Sequence, residues 1–414
     1  MASSPIVDTR TNANPGTGAN YTVALIVLGA VYFVIGFVTC LNDTLVPYFK
    51  ASFSLTYFQS SLVQFYFFVT YGLMSIPAGR LVGKVGYKSG IRIGLGMSAL
   101  GAGLFLPAAW FGIYAVFLAA LFVLAMGVVL LQVAANPYIA ALGSADTASS
   151  RLTMIQGLGS VGTTVAPLFG AHFILSGLTG ESEKVHHAYI GIAIFLVVLS
   201  LCIGYVRLPK IMRTEGAETT GVGWQLLSSR PLRLGVLGIF LYVGAEVTIG
   251  TFLTNYIMDE LKVNETFANH MVTYYWGGML AGRFVGAALL KKIKASNLLA
   301  LCSVLAILLI VIALVIGGAV GAACLIGVGL ANSVMFAIIF SLAIEGLGEK
   351  TALASGLLSS AIVGGAVMPV AVGWMKDHYD WWAALLLPLA GYVYLLYYAR
   401  AGYNHRGSNS GGGQ

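Results

Sequence analysis

The sequence predicts an all-α membrane protein: twelve transmembrane helices in two pseudo-symmetric halves of six. Three observations predict it. Of 414 residues, 58% are hydrophobic and only 9% charged, whereas a soluble domain carries about a quarter charged residues. Apolar runs of about 20 residues, the length that crosses the hydrocarbon core, recur along the whole chain. Eighteen of the 22 Lys and Arg fall in alternate connecting segments, leaving only Lys50, Lys184, Lys262 and Lys376 in the others. Such a bias marks the cytoplasmic side, so both termini are expected there.

The runs define spans at 22–49, 56–79, 90–110, 113–142, 150–177 and 188–207 in a first half, 22–207. A second half, 233–399, holds spans at 233–257, 266–288, 296–315, 318–344, 352–375 and 381–399. Between them, 208–232 reads as a cytoplasmic linker. Residues 1–21 are polar, with neither a basic start nor a cleavage site, and read as a cytoplasmic tail rather than a signal peptide. Residues 400–414 read as a second tail, whose Gly/Ser-rich end from 407 is either flexible linker or an engineered addition.

The halves repeat. Ala78-Gly79-Arg80-Leu81-Val82-Gly83 closes the second span, and Ala281-Gly282-Arg283-Phe284-Val285-Gly286 closes the eighth, 203 positions later. Leu142-Gly143 before the fifth span matches Leu347-Gly348 before the eleventh at an offset of 205. Near-equal offsets argue for duplication of a six-helix unit. Parallel six-helix halves with substrate between them near the midplane are the plan of major facilitator transporters. The 52 glycines fit that plan, because small residues let membrane helices approach closely. Gly157, Gly159 and Gly162 in span five, and Gly364, Gly365 and Pro369 in span eleven, are either hinges for rocking or packing positions.

A polar group inside a span needs an explanation, because an ionised side chain there costs several kcal/mol. Asp43 in span one and Glu246 in span seven are the two acids. Asn42, Gln64, Gln132, Asn136, Gln156, Asn255 and Asn332 are the amides, and Gln132 and Asn136, four apart, share a helix face. In this plan spans one, four, seven and ten line the central path, and most of these groups lie on them. Amide donors and acceptors with few fixed charges suit a polar, neutral, hydroxylated solute. Alternatives stand beside each. Asp43 lies near a span end and reaches either the path or interfacial water. Asn136 either lines the path or satisfies the backbone break that Pro137 creates. Glu246 is either a coupling acid or a helix-bonding acid kept neutral by burial. Trp276, beside Gly277 and Gly278, is the aromatic residue best placed as a stacking platform for a sugar face.

Other chemistries find no support. Cys40, Cys202, Cys302 and Cys324 lie in four different apolar runs and read as small hydrophobes. The six histidines make no catalytic or metal set, and neither a nucleophile elbow nor a Walker motif is present. The reading is therefore not an enzyme, with no cofactor. The net charge of +7 sits in loops, as membrane orientation requires, and does not point to nucleic acid.

Several segments resemble the fucose–galactose–glucose–proton symporter family. They are Leu41-Asn42-Asp43, Ser60-Ser61-Leu62-Val63-Gln64, Leu131-Gln132-Val133-Ala134-Ala135-Asn136-Pro137-Tyr138, Ser150-Arg151-Leu152 with Gln156, Tyr275-Trp276-Gly277-Gly278-Met279 and Asn332-Ser333-Val334-Met335-Phe336. The bacterial glucose/galactose branch is the nearer one. The resemblance implies hexose uptake across the bacterial inner membrane by a multi-pass protein driven by a cation gradient; nothing in the sequence requires more than a monomer. It differs from the fucose permeases in carrying Gln132 where they have a glutamate linked to proton coupling, which shifts coupling to Asp43. With Asn42 and Gln132 as neighbouring oxygen donors, Asp43 is expected to hold sodium in preference to a proton. Gly159 stands where relatives usually have Asn, and Gly83 where an acidic residue is common. Sugar contacts are expected from Gln64, Gln132, Asn136, Gln156, Asn255, Trp276 and Asn332. The rivals are a proton symporter or uniporter of the same sugars, a transporter of another solute, and a transport-like sugar sensor without net flux.

Overall fold

A computed structural model describes residues 21–52, 57–111, 113–173, 182–206, 208–209 and 223–403. Among these the structure is helical. The first half contains α1 (Tyr21–Ser52), α2 (Tyr57–Val85), α3 (Tyr87–Phe111), α4 (Tyr114–Ala141), α5 (Ala148–Phe173) and α6 (Ser182–Tyr205). The second contains α7 (Arg230–Leu261), α8 (Glu265–Leu289), α9 (Ala295–Ile316), α10 (Gly318–Asn332), α11 (Met335–Ile344), α12 (Thr351–Ser360), α13 (Gly364–His378) and α14 (Trp381–Tyr397).

Fourteen helices make twelve spans because two are broken. The eleventh is interrupted by a 3-10 turn, Ala361–Val363, immediately before the Gly364-Gly365 pair. The tenth breaks at Ser333-Val334, which the hydropathy pattern does not announce. Among the described residues, nine spans, counting each broken pair once, are long and apolar enough by themselves to cross a membrane. α5, α6 and α8 fall short in their described parts. α5 and α8 carry polar residues toward each other, so they are not purely lipid-facing.

Within each half the helices pack through small residues. A Cβ on Gly36 of α1 would fall on the Gly159 carbonyl of α5, and one on Gly162 would fall on the Phe33 carbonyl. α1 and α5 therefore touch backbone to backbone. Gly159, the departure from the family pattern, lies in this contact: a Cβ there would stand 3.1 Å from the Tyr32 carbonyl. Outward faces of α6 and α9 expose Ile194, Phe195, Leu201, Leu301, Leu308 and Val315, a surface that only lipid covers well.

Helix ends are closed by basic side chains at the end of the bundle from which the linker leaves. Arg151 donates from Nη2 to the Ala140 carbonyl at 2.7 Å, from Nε to Ile139 at 3.3 Å, and also to Thr147. The two carbonyls lie in the last turn of α4, where the helix ladder runs out. Gly143, at φ +113, makes the turn that returns Arg151 beneath that end. Lys88 likewise donates to the carbonyls of Gly204 and Val206 at 2.9 and 2.8 Å, closing α6.

The two halves meet at this same linker end. Ser150 of α5 donates to the Ala287 carbonyl of α8 at 2.6 Å, and Ser355 of α12 to the Val133 carbonyl of α4 at 2.9 Å. Gly79 of α2 and Gly356 of α12 face each other; a Cβ on Gly356 would stand 2.6 Å from the Ser75 carbonyl.

Candidate functional site

α8 carries three long side chains on one stripe. Trp276, Met279 and Arg283 follow at intervals of three and four, so they share a face. Arg283 crosses from the second half to the first: Nη1 donates to the Gln156 carbonyl at 3.2 Å and to the Ser160 hydroxyl, while Nη2 points at Met279 Sδ, 3.6 Å away. Its buried Nε has no hydrogen-bond partner among the described residues. On the first half the Gln156 side chain faces the buried Tyr32 hydroxyl of α1.

Trp276 is 46% exposed, which leaves much of its indole surface accessible. Its ring packs edge-on against Tyr275, with centroids 5.0 Å apart. It also lies over Gly250 of α7, where a Cβ would meet the indole Cζ2 at 2.6 Å. Gly250 thus makes the space that seats the indole. One turn along the same face of α7 is Glu246, half-buried.

A tyrosine cage stands behind Glu246. Tyr275 donates to the Glu246 backbone carbonyl at 3.0 Å and accepts from Asn332 Nδ2 at 3.0 Å. Tyr392 donates to Asn332 Oδ1 at 2.8 Å, and Tyr242 donates to the Asn332 carbonyl at 2.9 Å. That carbonyl lies at the Ser333-Val334 break, where the regular helix ladder stops accepting, so the tyrosine satisfies it.

The expected site residues divide on this geometry. Gln156 and Trp276 come together with Arg283 and Glu246 around the α5–α7–α8 junction. Gln132 lies half-buried on α4. Asn136, on the same helix, is fully buried, and neither amide atom is hydrogen-bonded among the described residues. Asn255 is exposed near the far end of α7. Asn332, expected to touch sugar, is instead fully buried inside the second half with its amide committed to two tyrosines. A sugar in contact with this amide would have to displace Tyr275 or Tyr392. Asn42 and Asp43 lie in α1 and Gln64 in α2, but their side chains fall outside the described ones, and the expected Asp43 cation site falls with them.

Arg283 is the residue that sequence reasoning missed, because it was counted among loop charges. It sits six residues before the end of α8, and its guanidinium bridges the halves. The signal was present: the predicted span 266–288 encloses Arg283, while the span 56–79 stops short of its repeat mate Arg80. Tyr242, Tyr275 and Tyr392 went unnoticed because tyrosine is common in spans and only the fold brings these three around one asparagine.

The comparisons with known proteins agree with this architecture. Residues 28–369 match the Major Facilitator Superfamily profile. The chain is 43% identical over 412 residues to a glucose/galactose transporter of Brucella abortus biovar 1 (strain 9-941), covering 97% of this chain and 99% of the relative. It is 30% identical over 388 residues to an L-fucose-proton symporter of Escherichia coli (strain K12), covering 87% of this chain and 89% of that one. The crystal structure of the transporter FucP in the outward conformation superposes with a TM-score of 0.84 at 30% identity, covering 92% of this chain and 98% of that one. The chain is therefore not an enzyme but a multi-pass membrane transporter of the Major Facilitator Superfamily, in the branch of the fucose–galactose–glucose–proton symporters.

Proposed function

We propose that this chain takes up a hexose of the glucose/galactose class across the bacterial inner membrane by alternating access, driven by a proton gradient. The observation that carries the reading is the set of uncharged hydrogen-bonding and stacking groups, Gln132, Gln156 and Trp276, on helices that face the opposite half. Amides pair with hydroxyls, and an exposed indole offers an apolar face to the C–H side of a pyranose. Relatives named for glucose and galactose, matching almost end to end, support the substrate class.

Asn255 and, from the first half, Gln64 and Asn136 complete the proposed sugar contacts. Asn332 acts on sugar through Tyr275, which holds Trp276 edge-on. The proton is favoured over sodium because the relatives whose names state an ion are proton symporters. Asp43 remains the proposed coupling acid of the first half. The halves are closed together at the linker end, which we place on the cytoplasmic side from the basic loops; binding is then from outside.

The test is labelled-glucose uptake into proteoliposomes with an inward proton gradient or an inward sodium gradient imposed separately. Accumulation under protons alone is expected. Accumulation under sodium alone would return coupling to an Asp43–Asn42–Gln132 oxygen site, and equilibration without accumulation under either would make the protein a uniporter.

A further inference from the structure

Pro137 leaves a gap in α4 that the other half of the chain fills. In a helix the carbonyl of residue 133 accepts from the N–H of residue 137, and proline has none. The Val133 carbonyl is therefore released from the ladder, and Ser355 of α12 supplies the missing donor across the seam, at 2.9 Å. Both residues are fully buried. Asn136 had a claim on the same break, yet its amide makes no hydrogen bond among the described residues. It lies three residues beyond Val133, so its side chain stands beside the opening that the proline leaves, one turn nearer the linker end than Gln132. Gln132, on the same face, is half-buried, while Asn136 is shut off completely. An amide has two donor protons and an oxygen with two lone pairs. Enclosing all of them unpaired is costly, and a group carried at that cost calls for a partner in another state of the protein.

We infer that the Val133 carbonyl and the Asn136 amide are a second sugar subsite, occupied by the Ser355 hydroxyl while the linker end is closed and by a sugar hydroxyl once it opens. Ser355 shows what the freed carbonyl takes: an uncharged O–H, the group a hexose carries on neighbouring carbons. When α12 leaves α4, the serine withdraws, and the carbonyl and the amide are uncovered together. One sugar hydroxyl donates to the carbonyl, and its neighbour accepts from Asn136 Nδ2 or donates to Oδ1. No proton changes owner in the exchange; one hydroxyl replaces another. Gln132, one turn toward the outside on the same face, meets the sugar first, and Asn136 meets it only from the cytoplasmic side. Ser355 reclaims the carbonyl when the halves close, so a bound sugar and a closed linker end compete for one acceptor. The inference rests on the reading of this chain as a hexose transporter and assigns Asn136, within it, to the exit.

The test is exchange of labelled glucose or galactose in right-side-out and inside-out membrane vesicles, which present the protein to sugar from opposite sides. Asn136→Leu removes the amide at similar volume, and Pro137→Ala returns an N–H to the Val133 carbonyl. Losing one or two neutral hydrogen bonds sets the scale. Half-saturation from the cytoplasmic side is expected to rise about tenfold for Asn136→Leu and about threefold for Pro137→Ala, with the outer value within about twofold of the parent's. Ser355→Ala breaks the same cross-half bond but leaves the carbonyl free, so its cytoplasmic half-saturation is expected to fall about threefold. A proline that served only to hold the seam would make Pro137→Ala behave like Ser355→Ala, and that result overturns the inference. So does an Asn136→Leu protein whose half-saturation rises equally on both sides or on neither. Should Asn136→Leu not fold, the signs of the other two decide. A parent that exchanges neither sugar loses the sugar reading and the subsite together, whereas a parent that exchanges sugar while its variants show no sidedness loses the subsite alone.

Discussion

At the α2–α12 seam the halves meet backbone to backbone through Gly79 and Gly356, whereas at the α5–α8 seam they meet through Arg283, Ser160 and Gln156. The two seams descend from one repeated unit. Arg80 is the mate of Arg283 at the offset of 203, yet Arg80 is exposed. At the other offset, 205, the places of Gln156 and Ser160 are taken by Ala361 and Gly365, and Gly365 receives the Phe68 ring instead. The first seam has close dispersion contact and no directional bond across the glycine pair, so it can slide with little change in energy. The second has charge-assisted bonds that are made or broken as a unit. One is a bearing, and the other is a latch.

Four substitutions break or sharpen this contrast. Gly356→Leu has the largest expected effect: its side chain meets the Ser75 carbonyl and forces α2 from α12, an overpacking of about 1–3 kcal/mol. Uptake is expected to vanish while the purified protein stays monodisperse, and retained uptake would mean that the bearing is not needed. Arg283→Ala follows, because a hydrogen bond to a charged group contributes about 1.5–3 kcal/mol. The linker end should open, measured as thiol labelling of a cysteine placed at buried Ala287 of the seam, and gradient-driven accumulation should fall at least about tenfold. Trp276→Ala should weaken sugar binding by roughly 2- to 10-fold, as expected for an aromatic contact of about 0.5–1.5 kcal/mol. Calorimetric titration with glucose checks it, and an unchanged affinity would remove the indole from the site. Arg80→Ala should change stability by less than about 0.5 kcal/mol and leave uptake as it was. A loss as large as that of Arg283→Ala would erase the distinction between the seams.

Much of this arrangement was readable from residues alone, and the parts that were not share a cause. Long apolar runs, alternating loop charge and the Ala-Gly-Arg repeat led to twelve spans and two halves, because each depends on residue type and spacing only. Glu246 stood out for the same reason: a carboxyl within a span is rare whatever the fold. Rotation about a helix axis is harder, since one residue turns the side chain by about 100°. Asn332 was therefore placed on the right span, although it faces Tyr275 and Tyr392 inside one half. Gly159 looked like a missing amide, but its direction is toward the Tyr32 carbonyl, where α1 and α5 touch. Arg283 was read by its neighbours in sequence, which are those of a loop, while its partners belong to the other half of the chain. The broken tenth span left no trace because Asn332-Ser333 contains neither Gly nor Pro.

The break at Ser333-Val334 has a mechanical consequence. An interrupted helix usually yields when loaded, but here its loosened carbonyl is fastened by Tyr242 and its asparagine is gripped by Tyr275 and Tyr392 from two further helices. Four helices are riveted at one point, and the kink is a brace. The second half is then a stiff arm, and compliance has to come from places where glycine leaves backbones unfastened, first among them the Gly36–Gly159 crossing of the first half.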